Sequence, residues 1–394
     1  MLSLGSNISA TQAVESKYSG VFDGTDDFVD CGLIDFNTND FSVSCWVKLR
    51  EWTQYSTIWS NRSDSSNSNI GVGLRTTGVT GELQLFSDWG TPTDSSIVTG
   101  VPADTWVHVV CTGDRDGNQV IYLNDDDATT TTDISDRSSV DFTSNLEFRI
   151  GRSHGDLYHN MSISQLGIWN VALSANAVEA LYNNGKPINL RINQGNYTSS
   201  SNLQQYYKFG NGLFDDKAIG IVHDQDNPGF GSNLVTNGHF DVNTSGWSAG
   251  SGRYIHSLTW EKDCLYFCSV DLYLVSGKFR IDGADTAVIG AGTGSNSEII
   301  GIETYDAAID DRWRTVTGYA IGVASGNTDE LWIRSFGTSS GKSITQGTFG
   351  GRSGVARFVF TDTGEFYIDN VSVKKINGKP GLTSGGVTFS SDTP

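Results

Sequence analysis

Short runs of alternating apolar and polar residues, each closed by glycine, asparagine or aspartate, fill most of this chain. FSVSCWVKL at 41–49 is the cleanest: Phe41, Val43, Cys45 and Val47 share one strand face while Ser42, Ser44 and Lys48 take the other. NIGVGLRT, GELQLFSD, TWVHVVCTGD, QVIYLNDDD and NLEFRIGRS repeat the pattern with no helical period between them, which predicts an antiparallel sandwich. One stretch departs from it. NMSISQLGIWNVALSANAVEALYNNG, residues 160–185, alternates through Ile163, Leu166 and Ile168, then sets Val178, Leu181 and Tyr182 at helical spacing behind Ser174, a good N-cap. Gly185 is expected to end that helix. From Asn233 a second series begins, including LYFCSVDLYLV, GKFRIDG, GVARFVFTD and EFYIDNVSVKKI.

The predicted class is all-β: two antiparallel β-sandwich domains with one short helix closing the first. The expected division is a polar N-terminal arm at 1–17, a first sandwich at 18–190, an ordered connector at 191–232, a second sandwich at 233–376 and a Gly/Ser-rich C-terminal tail at 377–394. Tyr206, Tyr207, Phe209 and Phe214 are too apolar for a free linker, so the connector is expected to pack on its neighbours. The tail has no core-forming residues to speak of, and its composition predicts disorder.

With 46 glycines against 6 prolines among 394 residues, composition agrees with a turn-rich β protein. No run of about 18 apolar residues provides a spanning helix. The start, MLSLGSNISATQ, lacks the basic and apolar segments of a secretory signal, so export by the usual route is not expected. The formal charge of −19 is concentrated early: residues 1–190 hold 10 Lys and Arg against 24 Asp and Glu. Such a surface repels phosphate backbones, which excludes nucleic acid as a partner, and attracts cations. Five cysteines, at 31, 45, 111, 264 and 268, suggest no disulfide framework or metal spacing and read as buried thiols of a protein made in a reducing compartment.

FDGTDDFVDCG, FSVSCWVKL, TWVHVVCTGDRDGNQVIYLNDD, FRIGR and ISQLGIWNVALSANAVEALYNNG, in that order over 18–190, resemble a laminin-G-like, concanavalin-type jelly roll. The resemblance implies a glycan or protein binder, often with calcium near the sandwich rim. Ser164 and Gln165 stand where many relatives carry an acidic pair, so a calcium site built on that pair would lose two oxygen ligands. LVTNGHF and FYIDNVSVKK, with DRWRTVTGYA between them, resemble a carbohydrate-binding-module jelly roll over 233–376. The pairing of the two resembles structural proteins of tailed bacteriophages: head decoration, fibre or tail components. That implies a non-enzymatic virion-surface adhesion protein, assembled in the host cytoplasm without membrane insertion. Its partners would be other virion proteins, further copies of itself, with a trimer favoured by fibre analogy, and host surface glycans. The alternatives are a secreted lectin-like protein and a polysaccharide hydrolase on the same fold.

The hydrolase reading finds no catalytic residues. There is no Glu-x-Asp-x-x-Glu run, and Glu303 and Asp306 are three apart, which on a strand turns them to opposite faces. His154, Asp156 and His159 could meet in one loop, but are expected to be solvated rim residues. For calcium the candidates are Asp23, Asp26 and Asp27 with Asp125, Asp126 and Asp127; the competing reading is two Asp-rich turns facing water. No other cofactor is expected. Glycan stacking needs exposed aromatic faces, and the candidates are Trp52, Trp59 and Trp89 in the first sandwich and Trp247, Trp260 and Trp332 in the second. Trp332 pairs with Phe336 on what reads as an outward face, while Trp106 and Trp313 are expected in the core.

Overall fold

The computed structural model describes residues 16–394 except 35, 63–69, 90–92, 127–130, 143–145, 214, 218–219, 227, 285, 288–295, 324–329 and 336–340; for residues 89, 287, 296 and 297 only the backbone is described. The fold is nearly all-β and divides into two compact units. The first comprises residues 1–226 together with 381–394, and the second residues 227–380.

In the first unit two sheets enclose one core. The first sheet runs Thr132–Asp133, Asn118–Leu123, Trp106–Gly113, Phe41–Leu49, Asn160–Trp169, Ser19–Asp23 and Thr388–Ser390, with Leu203–Tyr207 also paired to Asn160–Trp169. The second runs Ile221–His223, Pro380–Ser384, Phe28–Leu33, Glu147–Ile150, Thr57–Ser60, Ile70–Thr76, Leu83–Trp89 and Thr93–Val98. Val43, Cys45, Val47 and Cys111 meet Trp59, Val72, Leu74 and Leu85 between them. All five cysteines are unbridged, and all but Cys264 are buried.

The strand Asn160–Trp169 explains an irregularity in its own sequence. Ile163 and Leu166 are both buried in the core although they stand three positions apart, which on a regular strand turns them to opposite faces. Gln165 takes a left-handed φ of 53°, and the register against Phe41–Leu49 shifts between Ser164 and Gly167. This bulge returns Leu166 to the inward face. The Gln165 side chain then accepts a hydrogen bond from the Tyr206 hydroxyl, and Ser164 bonds Ser16 at 2.9 Å.

The helix spans Ala175–Tyr182, with the Ser174 hydroxyl accepting the Ala177 N–H at 3.3 Å. Its C-cap is Asn183, in the left-handed region at φ 46°, rather than Gly185, because the chain stays left-handed through Asn184 and Gly185. Ala177, Val178 and Leu181 pack with Val110, Trp169, Leu190, Tyr197 and Tyr206 in a second, smaller core on the outer side of the first sheet. Another helix, Ala307–Asp310, is a single turn capped by Asp306.

Two expected boundaries differ from the structure. Residues 191–232 do not form a separate connector: Leu203–Tyr207 and Ile221–His223 are sheet strands of the first unit, whose buried Tyr206, Tyr207 and Phe209 match the packing their sequence demands, while Phe214 lies outside the described residues. Nor is 377–394 a free tail. Pro380–Ser384 pairs with Phe28–Leu33 and Thr388–Ser390 with Ser19–Asp23, so the end of the chain adds a strand to each sheet of the first unit. The Asp392 carboxylate locks it with Lys48 and with the Trp106 indole N–H, each at 3.1 Å. Pairing to existing strands supplies the order that the tail's own composition does not. The expected arm at 1–17 falls almost wholly outside the described residues.

The second unit contains a seven-stranded sheet, in which Leu265–Gly277 and Gly364–Ile376 are the long central strands, and a five-stranded sheet around Arg253–Ser257, Glu330–Arg334 and Phe279–Ala284. Phe240, Tyr254, Leu272, Phe279, Phe358 and Phe366 fill its core. Among the described residues no helix is long and apolar enough to cross a membrane.

Candidate functional site

Burial removes most of the tryptophans from consideration as sugar platforms. Trp59 is fully buried and stacks on Phe148 at 5.6 Å, and Trp52 is half-buried against the same core. In the second unit Trp247, Trp260 and Trp332 are 7%, 4% and 6% exposed. Trp247 packs on Phe240 and His256, and Trp260 stands edge-on to Tyr266. Trp332 does leave the core, but the Arg253 guanidinium covers its ring at 3.8 Å and its N–H is taken by Glu330 at 2.6 Å. The Trp89 side chain and Phe336 lie outside the described residues. Trp106 and Trp313, expected in the core, are half-buried instead; Arg352 lies over the Trp313 ring at 4.5 Å.

The acidic candidates separate. Asp23, Asp26 and Asp27 converge, with an oxygen of each within 4.8 Å of the others. Burial raises the Asp27 carboxyl above its usual range, opposed by backbone N–H groups of Asp23 and Gly386 and reinforced by the charges of Asp23 and Asp26. Crowded carboxylates match the donor chemistry of a hard cation, but one Asp27 oxygen already accepts the Asp23 N–H at 2.9 Å and the other the Gly386 N–H. Asp23 pairs with Asn160, so Ser164 lies four residues, roughly 13 Å, further along that strand, and the cluster does not depend on it. Asp125 and Asp126 belong to a different turn, closed by Leu123 and Asp126 N–H groups, and Asp127 is outside the described residues. His154 bonds the Glu147 carbonyl at 2.9 Å and His159 is fully buried, so the loop does not gather them on one ion.

Asp125 instead faces a cleft that local sequence does not reveal. The end of the helix Ala175–Tyr182 meets the turn at Gln194–Tyr197 and the turn after strand Asn118–Leu123 around a space of about 270 Å³. Asp125 and Glu179 line it with carboxylates, and Asn183, Asn184, Gln194 and Asn196 line it with amides. Tyr182 supplies its aromatic wall.

That wall is backed by two further rings. Tyr182 lies near-parallel to Trp46 at 5.9 Å and to His108 at 6.3 Å, and those two stack at 4.9 Å. Burial pulls the His108 imidazole down to about 4, opposed by a hydrogen bond with Asn124, so the stack is uncharged at neutral pH. His108 Nε2 and the Ser44 hydroxyl are 2.7 Å apart, yet both are buried, which keeps this pair from any substrate. Asn183 Nδ2 donates to the Lys186 carbonyl at 3.2 Å. Across the cleft, Gln194 and Tyr197 exchange backbone hydrogen bonds at 2.9 and 3.0 Å. The Tyr197 hydroxyl donates to the Leu190 carbonyl at 2.6 Å and accepts the Trp169 N–H at 3.0 Å. Asp125 and Glu179 are both exposed, so neither has the buried setting that makes a carboxyl a general acid. The arrangement can stack a small ring and hydrogen-bond several hydroxyl groups.

Residues 23–179 match the family model of the concanavalin A-like lectin/glucanases superfamily, Laminin_G_3. The matched residues lie within the first unit, whose two sheets form a concanavalin-like jelly roll. Among solved structures, the chain is similar to a Bacteroides ovatus protein proposed to bind carbohydrate, at 19% identity and TM-score 0.40. That likeness covers 54% of this chain and 56% of the other, so this chain spans little more than half of that protein. It is also similar to a heptameric SAP-like pentraxin of Limulus polyphemus (16% identity, TM-score 0.34, covering 43% of this chain and 84% of the other). A third is the CBM40 module of a Ruminococcus gnavus sialidase bound to α2,3-sialyllactose (14%, TM-score 0.32, 41% and 96%). No curated protein matches the chain.

Proposed function

We propose that this chain is a non-enzymatic, lectin-like protein whose first unit binds a glycan in the cleft beside Tyr182. The observation that carries the reading is the composition of that cleft: one backed aromatic ring, four amides and two carboxylates around a space the size of one or two sugar rings. Sugars present CH faces to aromatic rings and hydroxyls to amides and carboxylates. The match of 23–179 to the concanavalin A-like lectin/glucanases superfamily supports a carbohydrate as the ligand. As its setting we propose a virion surface, on the pairing of the two sandwich resemblances, where many copies would add weak sites into useful avidity.

The test is a glycan array probed with the full chain and with Tyr182→Ala, alongside an assay for new reducing ends on each bound polysaccharide. Binding by the native chain, its loss in Tyr182→Ala and no release of reducing ends are the expected results. A blank array for the native chain contradicts glycan binding, and released reducing ends contradict the non-enzymatic reading.

A further inference from the structure

We infer that the cleft selects a sugar bearing a protonated amine, a glucosamine-type residue, over neutral N-acetylated and acidic sugars. The inference rests on the glycan-binding reading above and adds the ligand's charge.

Among the lining residues Asp125 and Glu179 are negative and none is Lys or Arg. Opposite charges a few ångströms apart attract, and two exposed carboxylates on one cleft act together on a cation although solvent screens each. A carboxylated sugar meets two like charges and, among the described lining residues, no cation. The aromatic wall points the same way. Tyr182 is stacked on a neutral His108 and an indole, so the ring face it offers carries no positive charge behind it, and an ammonium group is attracted to such a face. Asn184, Gln194 and Asn196 offer amides to the hydroxyls, so a sugar carrying one amine uses both sets of groups. The formal charge of −19 concentrates cations around the molecule generally, and the test therefore has to distinguish this cleft from the surface at large.

The experiment is calorimetric titration of the full chain at pH 6 and 150 mM salt with a tetramer of β-1,4-linked glucosamine and with its fully N-acetylated counterpart. The expected result is binding of the amine form about tenfold tighter. The double variant Asp125→Asn/Glu179→Gln is expected to bind the two forms alike, with its melting temperature held because both side chains are exposed. Equal or tighter binding of the N-acetylated tetramer overturns the amine preference and leaves glycan binding standing. An amine preference that survives in the double variant overturns its assignment to this cleft. If neither tetramer binds while the array gives other ligands, the ligand class is wrong. If the array is blank, glycan binding itself fails.

Discussion

His108, His159 and His223 are buried in the first unit, and each is held down to about 4, with burial as the leading cause and hydrogen bonds opposing it. The folded state keeps them neutral where the unfolded chain, with pKa near 6.5, protonates them. Their contribution is complete above about pH 6.5 and is lost as pH falls toward 4; by pH 5.5 each would cost roughly 1 kcal/mol. Carboxyls raised by burial, such as Asp30 and Asp215, hold protons in the fold where the unfolded chain has lost them and work in the opposite direction. Urea denaturation at pH 7.5 and 5.5 is therefore expected to give a lower midpoint at pH 5.5, and coincident midpoints would contradict the burial of these rings. Single residues were also where sequence misled most. A tryptophan's type says that its ring is large and apolar, but not whether Arg253 or Phe148 covers it. Tyr182 was legible as a helix residue at core spacing, whereas its place in an open cleft depends on Gln194 and Asn196, which reach it only through the tertiary fold.

At the level of elements, alternation and capping were good guides. Phe41–Leu49, Trp106–Gly113 and the helix behind Ser174 lie where their patterns put them, because local periodicity and local hydrogen bonds decide them. The final segment was illegible for the opposite reason. TSGGVTFSS has neither the length nor the apolar content to hold itself, and its order comes from strands more than 350 residues earlier in the chain. Deleting residues 381–394 removes a strand from each sheet of the first unit together with the Asp392 bonds to Lys48 and Trp106. Calorimetry of that truncation is expected to show a lowered transition for the first unit and an unshifted one for the second. Equal transitions in the truncated and full chains would mean that the pairing contributes nothing.

Taken whole, the chain builds most of a first, concanavalin-like sandwich to residue 226, then a second sandwich, and returns to the first at 381. The sequence anticipated two sandwiches and the concanavalin-like jelly roll of the first, but not that one interrupts the other, since chain order alone reads the return as a tail. The glycan site proposed for the first unit is the cleft at the end of its helix, with carboxylates and amides drawn from three separate segments. The most direct measurement is hydrogen–deuterium exchange of the full chain with and without the oligosaccharide that binds tightest on the array. Slowed exchange confined to residues 179–185 and 194–197 and the turn at 124–126 is the predicted result. Protection found only elsewhere, with these three segments unchanged, would contradict the account.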